Sequence, residues 1–180
     1  MVKSSIEIDW CNLSQLEDDW LLGAFEQLNE QFQFHYPDLP TPSFKPLPVD
    51  LLPGLSDYLL SSLPGSVCDI SYEEYEAKRL FVLCNGDEDF VSVYQGDNEL
   101  AHWGVAIPCK LAIAWHPGTY LVWHELMHLF DAKDCYNKFG INKCPNPTCL
   151  MRRSPTPSNC GHRLSLCSKN IKRVKRSVLQ

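Results

Sequence analysis

The chain has 180 residues, 44% of them hydrophobic and 21% charged, which suits one globular domain with a core that needs no disulfides. No run approaches the roughly 18 apolar residues of a membrane span, and Met1 to Trp10 lacks the apolar stretch of a secretory signal, so a cytosolic protein without a membrane partner is expected. Charge divides sharply: residues 1–134 hold 6 Lys and Arg against all 22 Asp and Glu, a formal −16, whereas residues 135–180 hold 10 Lys and Arg and no acid, a formal +10.

In chain order, Val2, Ile6, Ile8 and Trp10 alternate loosely and predict a first strand near 4–10. Ser14-Gln-Leu-Glu17 has the form of a capping box. Leu16, Trp20, Leu21, Ala24, Phe25, Leu28 and Phe32 continue it at helical spacing, which predicts a helix over 15–33. Prolines every few residues from Pro37 to Pro53 predict an extended surface segment, either a linker or a shielding loop. Short helices are predicted near 54–64 and 71–77, the second opened by Ser71-Tyr-Glu-Glu74. Leu80 to Cys84 and Phe90 to Tyr94 read as strands joined by a Gly-Asp turn, and His102 to Pro108 and Leu111 to Trp115 as two further extended runs.

Pro117-Gly118 then leads into a helix predicted at about 119–130 that carries His124-Glu-Leu-Met-His128. On a helix His124 and His128 are one turn apart on the same face, so two neutral imidazoles can share a metal while Glu125 stands beside the water it activates. At this chain's own His and Glu usage, chance yields the three fixed residues in about 0.01 of such chains, so coincidence is a poor explanation. Two satisfied core histidines are the stronger alternative, because Leu121, Val122, Trp123, Leu126, Met127, Leu129 and Phe130 make the helix apolar nearly all round. Rigid metal ligands need a buried helix just as much. In a hydrolase of this kind the strand before the helix forms the sheet edge that pairs with an extended substrate. Pro108 suits the end of an edge strand, with a plain hairpin strand as the alternative.

A catalytic zinc takes three protein ligands and a water. Asp134, six residues after His128, leads as the third, with Asp131 and His162 as alternatives. The chain must curl back under the metal, and this calls for positive φ near position 131. Glycine suits that best, and Asp131 tolerates it better than most residues. An Asp ligand leaves zinc less positive than a third His would, which softens its Lewis acidity.

Five of the nine cysteines, Cys135, Cys144, Cys149, Cys160 and Cys167, fall within 33 residues after the histidines. In a reducing compartment such clustering suggests a second metal site rather than disulfides. The basic end, with Lys169, Lys172, Arg173, Lys175 and Arg176, offers a surface for nucleic acid or an acidic partner. Docking on the chain's own acidic half is the preferred reading, since no aromatic residues are interleaved for base stacking.

His124-Glu-x-x-His128 followed by Asp134 resembles the metzincin zinc-peptidase motif in its Asp-ended variant. Lys143-Cys-Pro-Asn-Pro-Thr-Cys149-Leu-Met151 resembles the Cys-x4-Cys-x-Met element that follows the zinc motif in archaemetzincins. Together they cover residues 124–151. The resemblance implies a zincin-like α+β fold: a mixed sheet and active-site helix to about residue 130, closed by a small Cys-rich subdomain over 131–180 of one domain. It implies that His124 and His128 ligate a catalytic zinc and that Glu125 is the general base and acid. Met151 would be the methionine of the turn beneath the metal, and Cys144, Cys149 and Cys167 would be ligands of a structural zinc. This chain departs from the pattern in two places. Asp134-Cys135 stands where the family has adjacent His and Cys, and Lys143-Cys144 comes nine residues later; lysine is a poor ligand, so Asp134 takes the role. The closing Cys-x-x-Cys has Asn170 at its second thiol, which leaves Cys160 or Cys135 for the fourth ligand. A disulfide from Cys135 to Cys144 or Cys149 is the alternative in an oxidising compartment.

The expected activity is hydrolysis of a peptide or protein substrate, with Glu125 moving the proton. A non-catalytic zinc-binding adaptor is the alternative, favoured by Asp131, the insertion and the basic end. Against it stands Glu125, for which a purely structural metal has no use. A nucleic-acid factor is a third reading, whose affinity would fall steeply with salt.

Overall fold

The computed structural model describes residues 6–14, 16–47, 79–84, 104–114, 118–136, 141–152 and 165–179. The helices predicted near 54–64 and 71–77 and the strand at 90–94 lie outside these residues. The described strands are β1 (Glu7–Leu13), β2 (Ser43–Pro46), β3 (Arg79–Cys84), β4 (Gly104–Ile107) and β5 (Leu111–Ala114), and the helices are α1 (Asp18–His35), α2 (Thr119–His128) and α3 (Ser168–Leu179). The strands form one sheet in the order β2-β1-β3-β5-β4. Pairing is parallel between β1 and β2, β1 and β3, and β3 and β5, and antiparallel only between β4 and β5. The sheet is thus mixed and mostly parallel.

Strand composition explains the order. Leu-Phe-Val-Leu in β3 and Leu-Ala-Ile-Ala in β5 are buried on both faces, the continuous apolar pattern of interior parallel strands. On one face Ile8, Trp10, Phe81, Leu83, Ala112 and Ala114 join a core with Phe25, Leu28 and Phe32 of α1 and Leu126 and Met127 of α2. Phe25 is its hub: it stacks on Phe44 with ring centroids 4.1 Å apart and meets Trp10 and Phe81 edge-on. The small side chains of Ala112 and Ala114 leave room for α2, which packs on β5 and β4. The Trp123 indole N–H donates to the Ala24 carbonyl at 2.9 Å and ties α2 to α1.

Several expected boundaries move for local reasons. β1 begins at Glu7 rather than 4 and runs on to Leu13, because β3 offers partners as far as Cys84. The predicted helix start at 15 shifts to Asp18, and Ser14 does not cap it. The Ser14 hydroxyl instead meets Asn12 Oδ1 at 2.6 Å, while Asn12 Nδ2 donates to the Leu16 carbonyl and to Asp18, both at 2.9 Å. This Asx-type turn competes for the groups a capping box would use. The proline-rich segment is more than a surface wrap, since Ser43–Pro46 adds an edge strand parallel to β1, with Lys45 paired to Glu7. Pro46, which has no N–H to give, sits at the end of that edge strand. The basic end forms an amphipathic helix, α3, burying Asn170, Val174, Ser177 and Val178 while Lys169, Lys172, Lys175 and Arg176 stay exposed. No helix among the described residues is long and apolar enough to cross a membrane.

Candidate metal centres

His124 and His128 project from the buried side of α2. The ring Nδ1 of His124 lies 2.8 Å from the Leu150 carbonyl, and that of His128 lies 2.8 Å from the Ala132 carbonyl. A carbonyl can only accept, so both Nδ1 atoms carry hydrogen, and the Nε2 of each ring is left to face Asp134, with a lone pair for a metal or with a proton for the carboxylate. Asp134 Oδ1 faces them at 3.1 Å from His124 and 3.5 Å from His128. Two imidazole nitrogens and a carboxylate oxygen directed at one another need a cation or a proton between them. The charges respond accordingly. Burial alone would raise the Asp134 carboxyl, but hydrogen bonds and charge from the two histidines hold it well below the usual carboxylate range. Burial opposes charge on His124, and the Asp134 hydrogen bond, aided by Glu125, outweighs it and raises the imidazole pKa.

The turn after α2 delivers Asp134. Asp131 adopts φ 63°, the positive value anticipated for that position. Its N–H donates to the His128 carbonyl and the Ala132 N–H to the Met127 carbonyl, both at 3.0 Å, which together make a Schellman motif. The Asp131 carboxylate turns away to Arg173 of α3 at 3.2 Å, so this alternative third ligand stands outside the histidine cluster. That pair also docks the basic helix on the acidic half of the chain. His128's carbonyl takes a further hydrogen bond from Cys109 N–H, in the tight turn between β4 and β5, at 3.0 Å. Arg79, at the start of β3, donates to the Leu129 carbonyl at 2.7 Å and to Ser177 Oγ at 3.2 Å, so it closes the C-terminus of α2 and holds α3 beside it. Nothing local in the sequence marks Arg79 for this role.

Glu125 is 4% exposed, and its Oε2 has no hydrogen-bond partner among the described residues. Burial pushes its carboxyl up, with His124 and His128 partly offsetting the effect. The side chain lies against the backbone of β4, where a Cβ on Gly104 would overlap the carboxyl group. Gly104 carries no local signal for this contact beyond being a glycine inside a strand. Among the described residues β4, the run that ends at Pro108, is the antiparallel outer strand of the sheet, whereas β5, the strand directly before the helix, is interior.

The second cluster gathers Cys135, Cys144, Cys149 and Cys167, whose sulfur atoms all lie within 4.8 Å of one another. Cys135 Sγ is 3.8 Å from Cys149 and 3.7 Å from Cys167, far beyond a disulfide bond of about 2.05 Å. Cys160 and His162 lie outside the described residues. The insertion closes on itself: a bridge between Tyr136 and Asn142 and a bond from Lys143 N–H to the Cys135 carbonyl bring Cys144 back beside Cys135. Cys167 precedes α3 and donates its N–H to Cys149 Sγ at 3.3 Å. Burial and the neighbouring thiols push Cys135 and Cys149 up, Cys149 to about 11. Burial also works against ionising Cys167, but the Asn170 N–H and the surrounding thiols bring it below the usual thiol value. Four thiols at this spacing cannot ionise together without a cation.

The two clusters meet through adjacent residues. Asp134 belongs to one and Cys135 to the other. Cys149 is followed by Leu150, which holds His124, and by the fully buried Met151, whose carbonyl accepts the Cys135 N–H at 2.7 Å.

No protein-family model matches the chain, and no curated protein matches it. Among solved structures, its fold is similar to that of archaemetzincin from Methanopyrus kandleri, with a TM-score of 0.54 and 15% identity over 100% of this chain and 99% of that one. At that identity the likeness is one of fold.

Proposed function

We propose that this chain, with its archaemetzincin-like fold, is a zinc-dependent metallopeptidase that hydrolyses peptide or protein substrates. The observation that carries the reading is the convergence of two imidazole nitrogens and one carboxylate oxygen beside the buried Glu125, whose Oε2 lacks a partner among the described residues. Two nitrogens and one oxygen suit zinc with a fourth position open. Zinc held by His124, His128 and Asp134 would supply Lewis acidity, making water a nucleophile at neutral pH and polarising the scissile carbonyl. Glu125 takes the proton from the attacking water and returns it to the leaving amine. Burial suits it to this task, since a carboxylate removed from water accepts a proton more readily than one in water. The outer side of β4, which has no strand partner among the described residues, would offer backbone groups to an extended peptide beside Gly104. Cys135, Cys144, Cys149 and Cys167 would hold a second, structural zinc, and Met151 would be the methionine of the turn under the catalytic site.

Glu125→Gln is the direct test. The expected result is unchanged zinc content with turnover of a peptide pool lost, and a Gln variant as active as its parent overturns the mechanism. Metal analysis of His128→Ala under reducing conditions separates the sites, since the variant should lose one of the parent's two zincs and keep the cysteine-held one.

A further inference from the structure

We propose that the two clusters are one linked metal-binding unit and that Asn170 is the positioning residue that links them; the inference rests on the two-site reading above. Asn170 is 2% exposed on α3, one helical turn beyond the thiol of Cys167. Its Oδ1 accepts the Lys133 N–H at 2.9 Å, and its Nδ2 donates to the Lys133 carbonyl at 2.8 Å. One side-chain amide thus engages both backbone groups of a single residue, as a strand partner would. The same Nδ2 donates to Cys135 Sγ at 3.6 Å. The amide is fully used, which a buried amide requires.

The residue held in this way immediately precedes a ligand of each cluster. Asp134 reaches the histidines and Cys135 reaches the thiols, so fixing Lys133 sets the direction of both. Asp134 depends on this hold because its side chain is 39% exposed and packing alone does not immobilise it. A second connection runs through Cys149 and Leu150, whose carbonyl orients His124 at 2.8 Å. A metal that draws Cys135, Cys149 and Cys167 together therefore sets the third ligand and the orientation of one imidazole in the neighbouring site. An asparagine here performs a task that a fourth thiol on α3 would not. The fourth thiol of the described cluster is Cys135, next to the Asp134 carboxylate, and Asn170 holds the backbone that leads into both. Groups that orient first ligands contribute about tenfold to a hundredfold in metal affinity. The coupling must be reciprocal, because each metal alters the other's affinity by the same factor.

The test uses the full chain under reducing conditions, with one equivalent of Cd(II) placed on the thiolates and Co(II) titrated into the histidine site against a chromophoric chelator. The cadmium–thiolate charge-transfer band reports that the cysteine cluster is formed, and loss of cobalt binding in His128→Ala assigns the second site. Asn170→Ala is expected to keep the cadmium band and to weaken Co(II) about tenfold or more. Cys144→Ser/Cys167→Ser, which empties the thiolate site by an independent route, is expected to weaken Co(II) in the same direction. Should Asn170→Ala lose the band, Asn170→Ser is read in its place. Co(II) affinities within twofold of the parent in the Asn170 variant overturn the positioning role, and parent-like affinity in the double cysteine variant overturns the linkage. Coupling that persists in a parent with no peptidase activity removes the peptidase reading alone.

Discussion

Replacing Gly104 with alanine puts a methyl group where the Glu125 side chain already lies. A Cβ at this position would stand 2.6 Å from Glu125 Cγ and closer still to the carboxyl group. Carbon atoms rest about 3.5–4.0 Å apart, so one side must retreat by roughly 1 Å. Neither has room to do so. Glu125 is 4% exposed on a helix buried from Val122 to His128, and Gly104 is held in register opposite Ala114. Overpacking of this kind destabilises by about 1–3 kcal/mol, and a 1 Å displacement of a reacting group costs about a hundredfold in rate. The histidines are oriented by the Leu150 and Ala132 carbonyls, which this change does not touch, so metal should stay bound. The assay is steady-state cleavage of a quenched fluorescent peptide pool, with zinc content and thermal melting measured on the same preparation. We expect kcat/KM to fall about a hundredfold, zinc to remain, and the melting temperature to drop by about 2–12 °C. Parent-like turnover together with parent-like melting would refute the idea that Glu125 is the base held against β4.

Two further predictions concern the turn that carries Asp134. Arg79→Ala leaves the buried Leu129 carbonyl without its charged donor, and should lower stability by about 2–3 kcal/mol in denaturant titrations. Arg79→Lys should recover only part of this, because an ammonium cannot also reach Ser177 with a planar fork; an unaltered midpoint for the alanine variant would remove the capping role. Asp131→Gly relieves a left-handed backbone at φ 63°, a gain of about 1 kcal/mol, against the loss of a half-solvated pair with Arg173 worth less than about 1 kcal/mol. The variant should be neutral or slightly stabilised, whereas Asp131→Val should be clearly destabilised. A loss above about 2 kcal/mol in the glycine variant would mean that the carboxylate does more than occupy a positive-φ site.

Much of the candidate site was legible because its chemistry is local. His124, Glu125 and His128 lie within little more than one helical turn, so their spacing alone sets them on a shared face. Asp134 and the left-handed Asp131 follow from the need to stop that helix and bring the chain back. The apolar face of α1 and the interior character of β3 and β5 likewise depend only on period and composition. Other features turned on distant competition for the same groups and the same space. Ser14 gave up its capping role because its oxygen accepts from Leu16 N–H and its own N–H is taken by Asn12 Oδ1. A proline-rich segment became a strand because β1 had an open edge. The choice of Cys135 as the fourth thiol of the described cluster required the bridge between Tyr136 and Asn142 to bring Cys144 beside it. Gly104 meets Glu125, Arg79 meets Leu129 and Ser177, and Asn170 meets Lys133 only after folding. A sequence by itself determines which donors, acceptors and apolar surfaces exist and how they repeat along the chain. Which of them meet is decided when the sheet order closes, because each buried polar group must then find its partner among whatever packing has brought within about 3 Å.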